Sequence, residues 1–416
     1  MLGVTIWRKM LGVDKRTVIE GIDYDEDTEA IIAQVRPRKI TKRRCGLCGK
    51  KAPLYDQGGG RRLWRTLDLG LLRVFLESDS PRVTCKDHGV TVAQVPWARH
   101  NAGHTIAFDD TIAWLTTRTP KSTVCEMFRI AWSTVGSIIG RVVDEANVRR
   151  DPLDGLRRIG IDEISYKKGH KYLTVVVDHD TGCLVWAAVG RDKDTLGKFF
   201  DELGEQRASK IKLVSADAAE WISTVVAEKC KNATLCLDPF HIVAWATDAL
   251  DEVRRDMQRE ARKAGMTGES KEIKGARYAL WKNPDKLTER QGAKLADIKK
   301  TNAVLYRAYL LKEQFRQAFA VKGPKALVMI KDWLSWASRS QIAAFVELAK
   351  KIRRHLPGIE AALVHGLSNA LIESTNTKIR VITRMAFGFR EPEHLIALAM
   401  LDRGGVCPPL PGREVD

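Results

Sequence analysis

RIGIDEIS (residues 158–165), KLVSADAA (212–219) and TLCLDPFH (234–241) decide how this chain is read. Each is a short apolar run that carries a carboxylate: Asp162 inside the first, Asp217 and Asp238 at the ends of the others. A buried acid is costly unless a metal or a partner compensates it. One is unremarkable; three at the ends of successive strands imply convergence on one point. Between the first two runs, HKYLTVVVDHDTGCLVWAAVG (170–190) reads as two strands joined by a turn-rich DHDTG, and DTLGKFFDELGEQ (194–206) as an amphipathic helix. WISTVVAEKC (221–230) is a second helix. Three strands, a helix, a strand, a helix and a strand make an α/β region with a mixed sheet.

Clustered carboxylates suit two-metal phosphoryl transfer, in which acids bridge the ions, one ion activates the attacking oxygen and the other stabilises the leaving one. An all-oxygen donor set favours Mg²⁺ (or Mn²⁺), two per site. Glu373 is a fourth acid of interest, on a helix whose polar face is Asn369, Glu373, Asn376 and Arg380. Packed on the sheet, that helix would bring the carboxylate to the aspartates; on spacing alone Glu373 reads as an ordinary exposed residue. His241, in Asp238-Pro-Phe-His, shapes the site, contacts nucleic acid or caps the next helix, against the plain reading of a half-buried histidine.

Upstream, RTVIEGIDY (16–24) and TEAIIAQVRPR (28–38) form a hairpin, followed by a basic linker and then Cys45-Gly-Leu-Cys48-Gly. RRLWRTLDL (61–69) and LLRVFLESDSPRVTC (71–85) read as paired strands, the second ending on Cys85-Lys-Asp-His88. Two x₂-spaced pairs suit a tetrahedral zinc ribbon, with Cys45, Cys48, Cys85 and His88 as ligands and His100 or His104 as alternative fourth ligands. From about residue 107 the period turns helical: FDDTIAWLTTR (108–118), TVCEMFR (123–129), a break at IAW, then STVGSIIGRVV (133–143) with Ser133 as its N-cap. Helix, short helix, tight turn and longer helix is the helix-turn-helix layout, with Ser133, Thr134, Ser137 and Arg141 placed to meet DNA. A plain three-helix packing element has the same pattern. Residues 241–355 hold long charged amphipathic helices and no β-rich run; 366–403 reads as helix, glycine-containing turn, helix; the tail from 404 is loose.

Composition agrees. The net charge is +17 over 416 residues, a surplus that attracts polyanions, nucleic acid first. No run of about 18 apolar residues exists, so no membrane span is expected. The N-terminus lacks a signal-peptide pattern, and eight scattered cysteines do not make a disulfide framework. A cytoplasmic, nucleoid-associated protein is expected.

IGIDEISYKKGHKYLTVVVDHDTG, VSADAAEW, LDPFHIV and SNALIESTNTKIRVITRMAFGFR together resemble the DDE transposases of bacterial insertion sequences, ISL-three family. The resemblance covers nearly the whole chain. It implies an RNase H-like catalytic fold with the triad Asp162, Asp217 and Glu373, with Asp238 and His241 as an Asp-x-x-His signature in close support. Asp217 is the preferred second acid because the second aspartate of that fold ends its fourth strand; Asp238 is its rival. The implied domains are 1–105 (zinc-binding, β-rich), 106–150 (helix-turn-helix), 151–248 and 357–405 (catalytic), 249–356 (helical insertion) and 406–416 (tail). The family usually has a cysteine where this chain has His88. The implied activity is binding of terminal inverted repeats, cleavage of the element's ends and their joining to double-stranded target DNA, by a homodimer that synapses two ends. Lys167, Lys168, Lys171, Asn376, Lys378, Arg380, Arg384 and Arg390 would contact DNA. The competing readings are a non-catalytic DNA-binding regulator derived from such an enzyme and a structure-specific nuclease sharing the fold.

Overall fold

The structure is a computed structural model that describes residues 2–321 and 323–413. The chain divides into two compact units, Met1–Pro152 with Ile379–Asp416, and Leu153–Lys378.

The first unit opens with a helix, α1 (Leu2–Met10), where the sequence reading had no element. Then come β1 (Thr17–Asp25) and β2 (Ala30–Pro37), the expected hairpin, followed by β3 (Leu54–Asp56), β4 (Arg61–Leu69) and β5 (Leu72–Asp79). β6 (Arg82–Cys85) and β7 (Gly89–Val92) complete the strands. The segment 71–85, read as one strand, is thus two, because Ser80-Pro81 breaks the ladder: proline has no N–H to donate. One sheet has the order β1-β2-β5-β4, and a smaller one, β3-β6-β7, carries Cys85 at the end of β6. Trp64 and Trp97 meet edge to face at 5.6 Å in the core of the larger sheet.

Three helices follow: α2 (Ile106–Thr116), α3 (Lys121–Phe128) and α4 (Trp132–Arg149). Thr105 caps α2 by accepting from the Phe108 N–H. Arg129, at φ 53°, closes α3 in the left-handed region and starts the tight turn. α4 begins one residue earlier than expected, with Ala131 at the cap and no side-chain bond, so Ser133 lies inside the first turn and is not the N-cap.

The second unit holds β8 (Arg158–Lys167), β9 (Lys171–Asp178), β10 (Leu184–Val189), α5 (Lys193–Leu203), the short α6 (Glu205–Ala208), β11 (Leu213–Ala216), α7 (Glu220–Lys229) and β12 (Thr234–Leu237). The sheet order is β10-β9-β8-β11-β12. β9 lies antiparallel to both its neighbours, β8 and β10, while β11 lies parallel to both β8 and β12. Alternation along β8 sends Ile159 and Ile161 into a core with α5 and α7, through Phe199, Phe200, Val225 and Val226. Gly160 and Asp162 therefore share the opposite face.

Helices then take over: α8 (Pro239–Lys263), α9 (Thr267–Gly275), α10 (Arg277–Trp281), α11 (Glu289–Thr301), α12 (Ala303–Ala320), α13 (Pro324–Ser338), α14 (Ala343–Arg354) and α15 (Leu356–His365). Their shared core is built on Phe315, Trp333 and Phe345, all fully buried. The indole of Trp333 donates to the Leu311 carbonyl at 2.8 Å, which satisfies its one polar atom. Truncating such a residue to alanine costs about 3–5 kcal/mol. Two further helices close the chain, α16 (Ala370–Met385) and α17 (Pro392–Arg403); α16 runs from the second unit into the first. Among the described residues no helix is long and apolar enough to cross a membrane.

Candidate active site and metal centre

Strand register assembles the acids. β11 pairs in parallel with β8 so that Ser215 stands opposite Gly160, and with β12 so that Ala216 stands opposite Leu237. Carried forward, these registers set Asp217 level with Asp162 on one side and with Asp238 on the other. Three aspartates thus stand in a row across three adjacent strands, Asp162 midway along β8 and Asp217 and Asp238 just past the ends of β11 and β12, about 4.8 Å apart per strand.

The three are not equivalent. Asp238 is buried and both of its oxygens are used: Oδ2 accepts from the His241 N–H at 3.3 Å, capping α8, and Oδ1 accepts from the Asn369 N–H at 3.1 Å. It ties two helix beginnings to the sheet. Asp217 accepts from the Ala219 N–H at 3.0 Å and is half-buried. Asp162 accepts from its neighbour's N–H, Glu163, at 2.8 Å, and from the Asn376 side-chain amide at 2.8 Å. Burial pushes the Asp162 carboxyl up to about 6, and the charges of Asp217 and Asp238 push it further in the same direction; the Glu163 N–H and His241 oppose them.

α16 reaches this edge because Gly160 has no side chain. A Cβ there would stand 2.1 Å from Cδ1 of Ile372 and 2.8 Å from Nε2 of His179. Close approach lets Asn376 bond Asp162 while Asn369, just before the helix, bonds Asp238. Glu373 sits between the two, one turn from each, and is exposed. Its carboxylate has no hydrogen-bond or ion-pair partner among the described residues. Among the described residues the group of ligand atoms close enough to share one ion is the cysteine–histidine cluster described next. His241 is half-buried, with Nδ1 4.0 Å from Asp238.

Lys167, Lys168 and Lys171 are exposed at the tip of the β8–β9 hairpin, where Lys167 pairs with Lys171 across Gly169 and His170, both at positive φ. Asn376, expected to touch DNA, is buried and spends its amide on Asp162. Arg380, Arg384 and Arg390 are exposed. Gly160 and the amide contacts of Asn369 and Asn376 were not foreseen as parts of this site. The signal for the amides was the polar stripe Asn369, Glu373, Asn376.

In the first unit, Cys45, Cys48, Cys85 and His88 bring four ligand atoms within 4.8 Å of one another. Cys48 and Cys85 sulfurs are 3.7 Å apart, and Nδ1 of His88 is 3.8 Å from Cys45 and 3.6 Å from Cys85. A tetrahedral zinc ion with bonds of about 2.3 Å to sulfur and 2.0 Å to nitrogen spaces its ligands by roughly 3.5–3.8 Å, so the donors fit structural zinc. The first knuckle turns at Gly49, φ 70°, where the N–H donates to the Cys45 carbonyl. The His88 hydrogen bond holds the Cys85 thiol down at about 6. His100 and His104 are elsewhere: His100 packs on Gly46, and His104 stacks on Phe108 at 4.8 Å, its burial lowering it to about 4.

Ser133 and Ser137 are exposed and Thr134 half-buried on α4; Ser137 donates its hydroxyl to the Ser133 carbonyl at 3.1 Å. Arg141, one turn further, is occupied: it bonds the fully buried Asp109 at 3.2 Å, and Arg99 joins Asp110 and Glu145 to the same network. A cavity of about 670 Å³ lies between the first zinc knuckle and α4, lined by Arg16, Arg62, Arg141 and Arg149 against Asp144 and Glu145.

Three family models match. Residues 41–88 match the zinc-finger of transposase IS204/IS1001/IS1096/IS1165, 93–143 the helix-turn-helix domain of transposase family ISL3, and 159–399 the ISL3 DDE model described as transposase. The chain is 57% identical over 437 aligned positions to the transposase for insertion sequence element IS1557 of Mycobacterium tuberculosis (strain ATCC 25618 / H37Rv), spanning 100% of this chain and 98% of that protein. It is 26% identical over 379 positions to the transposase for insertion sequence element IS1001 of Bordetella parapertussis, spanning 90% and 92% of the two chains.

Proposed function

The chain belongs to the ISL3 family of insertion-sequence transposases, and from that premise we propose that it cleaves its element's DNA ends and joins them to target DNA, with Asp162, Asp217 and Glu373 as the metal-holding acids of an RNase H-like catalytic domain. The sheet order, with two parallel strands beside three antiparallel ones, supports that fold. Most of α8 and the helices α9–α14 are then an insertion before the last acid. The domain scheme 1–105, 106–150, 151–248 with 357–405, 249–356 and the tail 406–416 goes with this reading.

The observation that carries the proposal is the bond from Asn376 to Asp162, which docks α16 against the sheet edge where Asp217 stands level with Asp162. Residues three apart on a helix are neighbours, with Cβ atoms about 5–6 Å apart, so Glu373 stands beside that bond. The donor set fits a hard divalent cation: all ligand atoms are carboxylate oxygens, and Asp162 is raised partly by its acidic neighbours, a repulsion that a cation relieves. Two Mg²⁺ (or Mn²⁺) ions held there would activate the attacking oxygen and neutralise charge on the phosphate. Asn376 fixes the Asp162 rotamer. Asp238 positions His241 and α16 through its two backbone hydrogen bonds and supports the site beside the metal-holding acids. Lys167, Lys168, Lys171, Lys378, Arg380, Arg384 and Arg390 grip phosphates. The helix-turn-helix and zinc ribbon bind the inverted repeats. Two ends must be brought together, so the working form is a homodimer.

The test is a strand-transfer assay with Mg²⁺ on DNA taken from the ends flanking the gene. Asp162→Ala should lose joining by about 10³-fold or more, the scale seen when one member of a catalytic unit is removed. Equal activity of variant and wild type overturns the site. Cleavage without joining, and without preference for the repeats, points to a nuclease instead.

A further inference from the structure

We propose that Phe387 is a base-stacking residue, which inserts its ring against an unpaired nucleobase of the DNA that this transposase handles. Phe387 follows α16 in the turn Ala386-Phe387-Gly388-Phe389 and is 98% exposed. Its φ is 53°, in the left-handed region. The turn is a Schellman closure of the helix: the Phe387 N–H donates to the Arg384 carbonyl at 3.1 Å, and the Gly388 N–H to the Thr383 carbonyl at 2.8 Å. The residue at that position of the closure is usually glycine, because a side chain there is strained. Here an aromatic stands in it and gains no burial in return. The hydrogen bonds and the buried Phe389 fix the backbone on either side, so the ring is held outward on a rigid tip.

The surroundings name the ligand's charge. Arg380 and Arg384 are four residues apart on the last turns of α16, a like-charge spacing that weakens a helix, and Arg390 follows the turn. All three are exposed and have no ion-pair partner among the described residues. An exposed aromatic among uncompensated arginines is the pairing that single-stranded nucleic acid takes: the ring stacks on a base and the guanidinium groups hold the flanking phosphates. In the helix–turn segment 370–391 the carboxylates are Glu373 and Glu391, and Glu391 faces His394 at 3.6 Å. The inference rests on the reading of the chain as a DNA-end-processing transposase, but not on which acids hold metal.

The test uses full-length protein without added divalent metal, so that no DNA is cut. One duplex carries the element's end and its flank fully paired; a second has two mismatched bases at the junction; a third has 5-iodouracil there. Wild type should bind the mismatched duplex about tenfold more tightly than the paired one, the order of one stacked base. Phe387→Ala should bring that ratio near one while paired-duplex binding stays within about twofold, and Phe387→Trp should keep the ratio. Irradiation of the iodouracil duplex should cross-link Phe387. Phe387→Gly should lose the preference while raising the melting temperature, which separates the effect from misfolding. An unchanged ratio in Phe387→Ala, or cross-links mapping elsewhere, overturns the inference. If joining depends on Asp162 but the ratio does not depend on Phe387, this inference falls alone; if the ratio follows Phe387 but no joining occurs, the catalytic reading falls instead.

Discussion

Asp109 is a fully buried acid and Asp162 a half-buried one, both raised to about 6, and they meet the loss of solvent differently. Burial dominates in each. Asp109, on α2, is answered by the guanidinium groups of Arg141 and Arg99. Asp162 faces other carboxylates, and an amide is its one long-range hydrogen-bond partner among the described residues. The first arrangement is complete in itself; the second is the one that the proposed cation would complete. This also decides what Arg141 can do, since an arginine that neutralises a buried aspartate is not free to read bases. The sign of the pH effect follows from the raised pKa. The Asp109 contribution to stability is fully present below the ordinary 3.8 and is lost as pH rises through about 6. Asparagine does not titrate, so Asp109→Asn should gain on wild type by about 2 kcal/mol between pH 4.5 and 7.5. Urea denaturation of the two proteins across that range measures it. A constant difference would mean that the Asp109 carboxyl titrates as it does in the unfolded chain.

At the scale of elements, the decisive contact is α16 against β8. Gly160 and Ile372 make it close, and Asn376 reads it out as a bond to Asp162. Gly160→Ala should therefore cost about 1–3 kcal/mol by overpacking, and should reduce strand transfer by more than that stability loss explains, because Glu373 moves with its helix. Ile372→Val in the same chain should restore part of both. Activity unchanged in Gly160→Ala would show that the docking of α16 is immaterial. The strands of this region were legible in the sequence, since RIGIDEIS, HKYLTVVV and KLVSADAA have the right apolar pattern and Asp162 and Asp217 interrupt it. The register that levels Asp162, Asp217 and Asp238 was not legible, because parallel pairing is set by packing far along the chain. The likeness of SNALIESTN singled out Glu373, where helical spacing alone left it a surface residue. Ser133 was misread as a cap because a serine ahead of an apolar period is a common N-cap; the chain extends the helix to Trp132 instead, with Lys121 stacked 4.9 Å over that indole.

At the scale of the whole molecule, the chain combines a zinc ribbon, a helix-turn-helix and a DDE transposase domain under a net charge of +17. Composition made the nucleic-acid partner legible, and the paired cysteines made the zinc centre legible, with His88 in its place at the fourth corner. The helix α1 was missed because its nine residues, LGVTIWRKM, mix β-branched and basic types with no cap to announce them. Everything functional in this account turns on whether Asp162, Asp217 and Glu373 hold the same ions. Iron-mediated cleavage of the polypeptide tests that most directly: Fe²⁺ substituted for Mg²⁺, with ascorbate and peroxide, cuts the backbone beside its ligands. Cuts are expected beside residues 162, 217 and 373, suppressed by excess Mg²⁺ and absent in Asp162→Ala. Cuts at the two aspartates with none near Glu373, or cuts unchanged in Asp162→Ala, would contradict it.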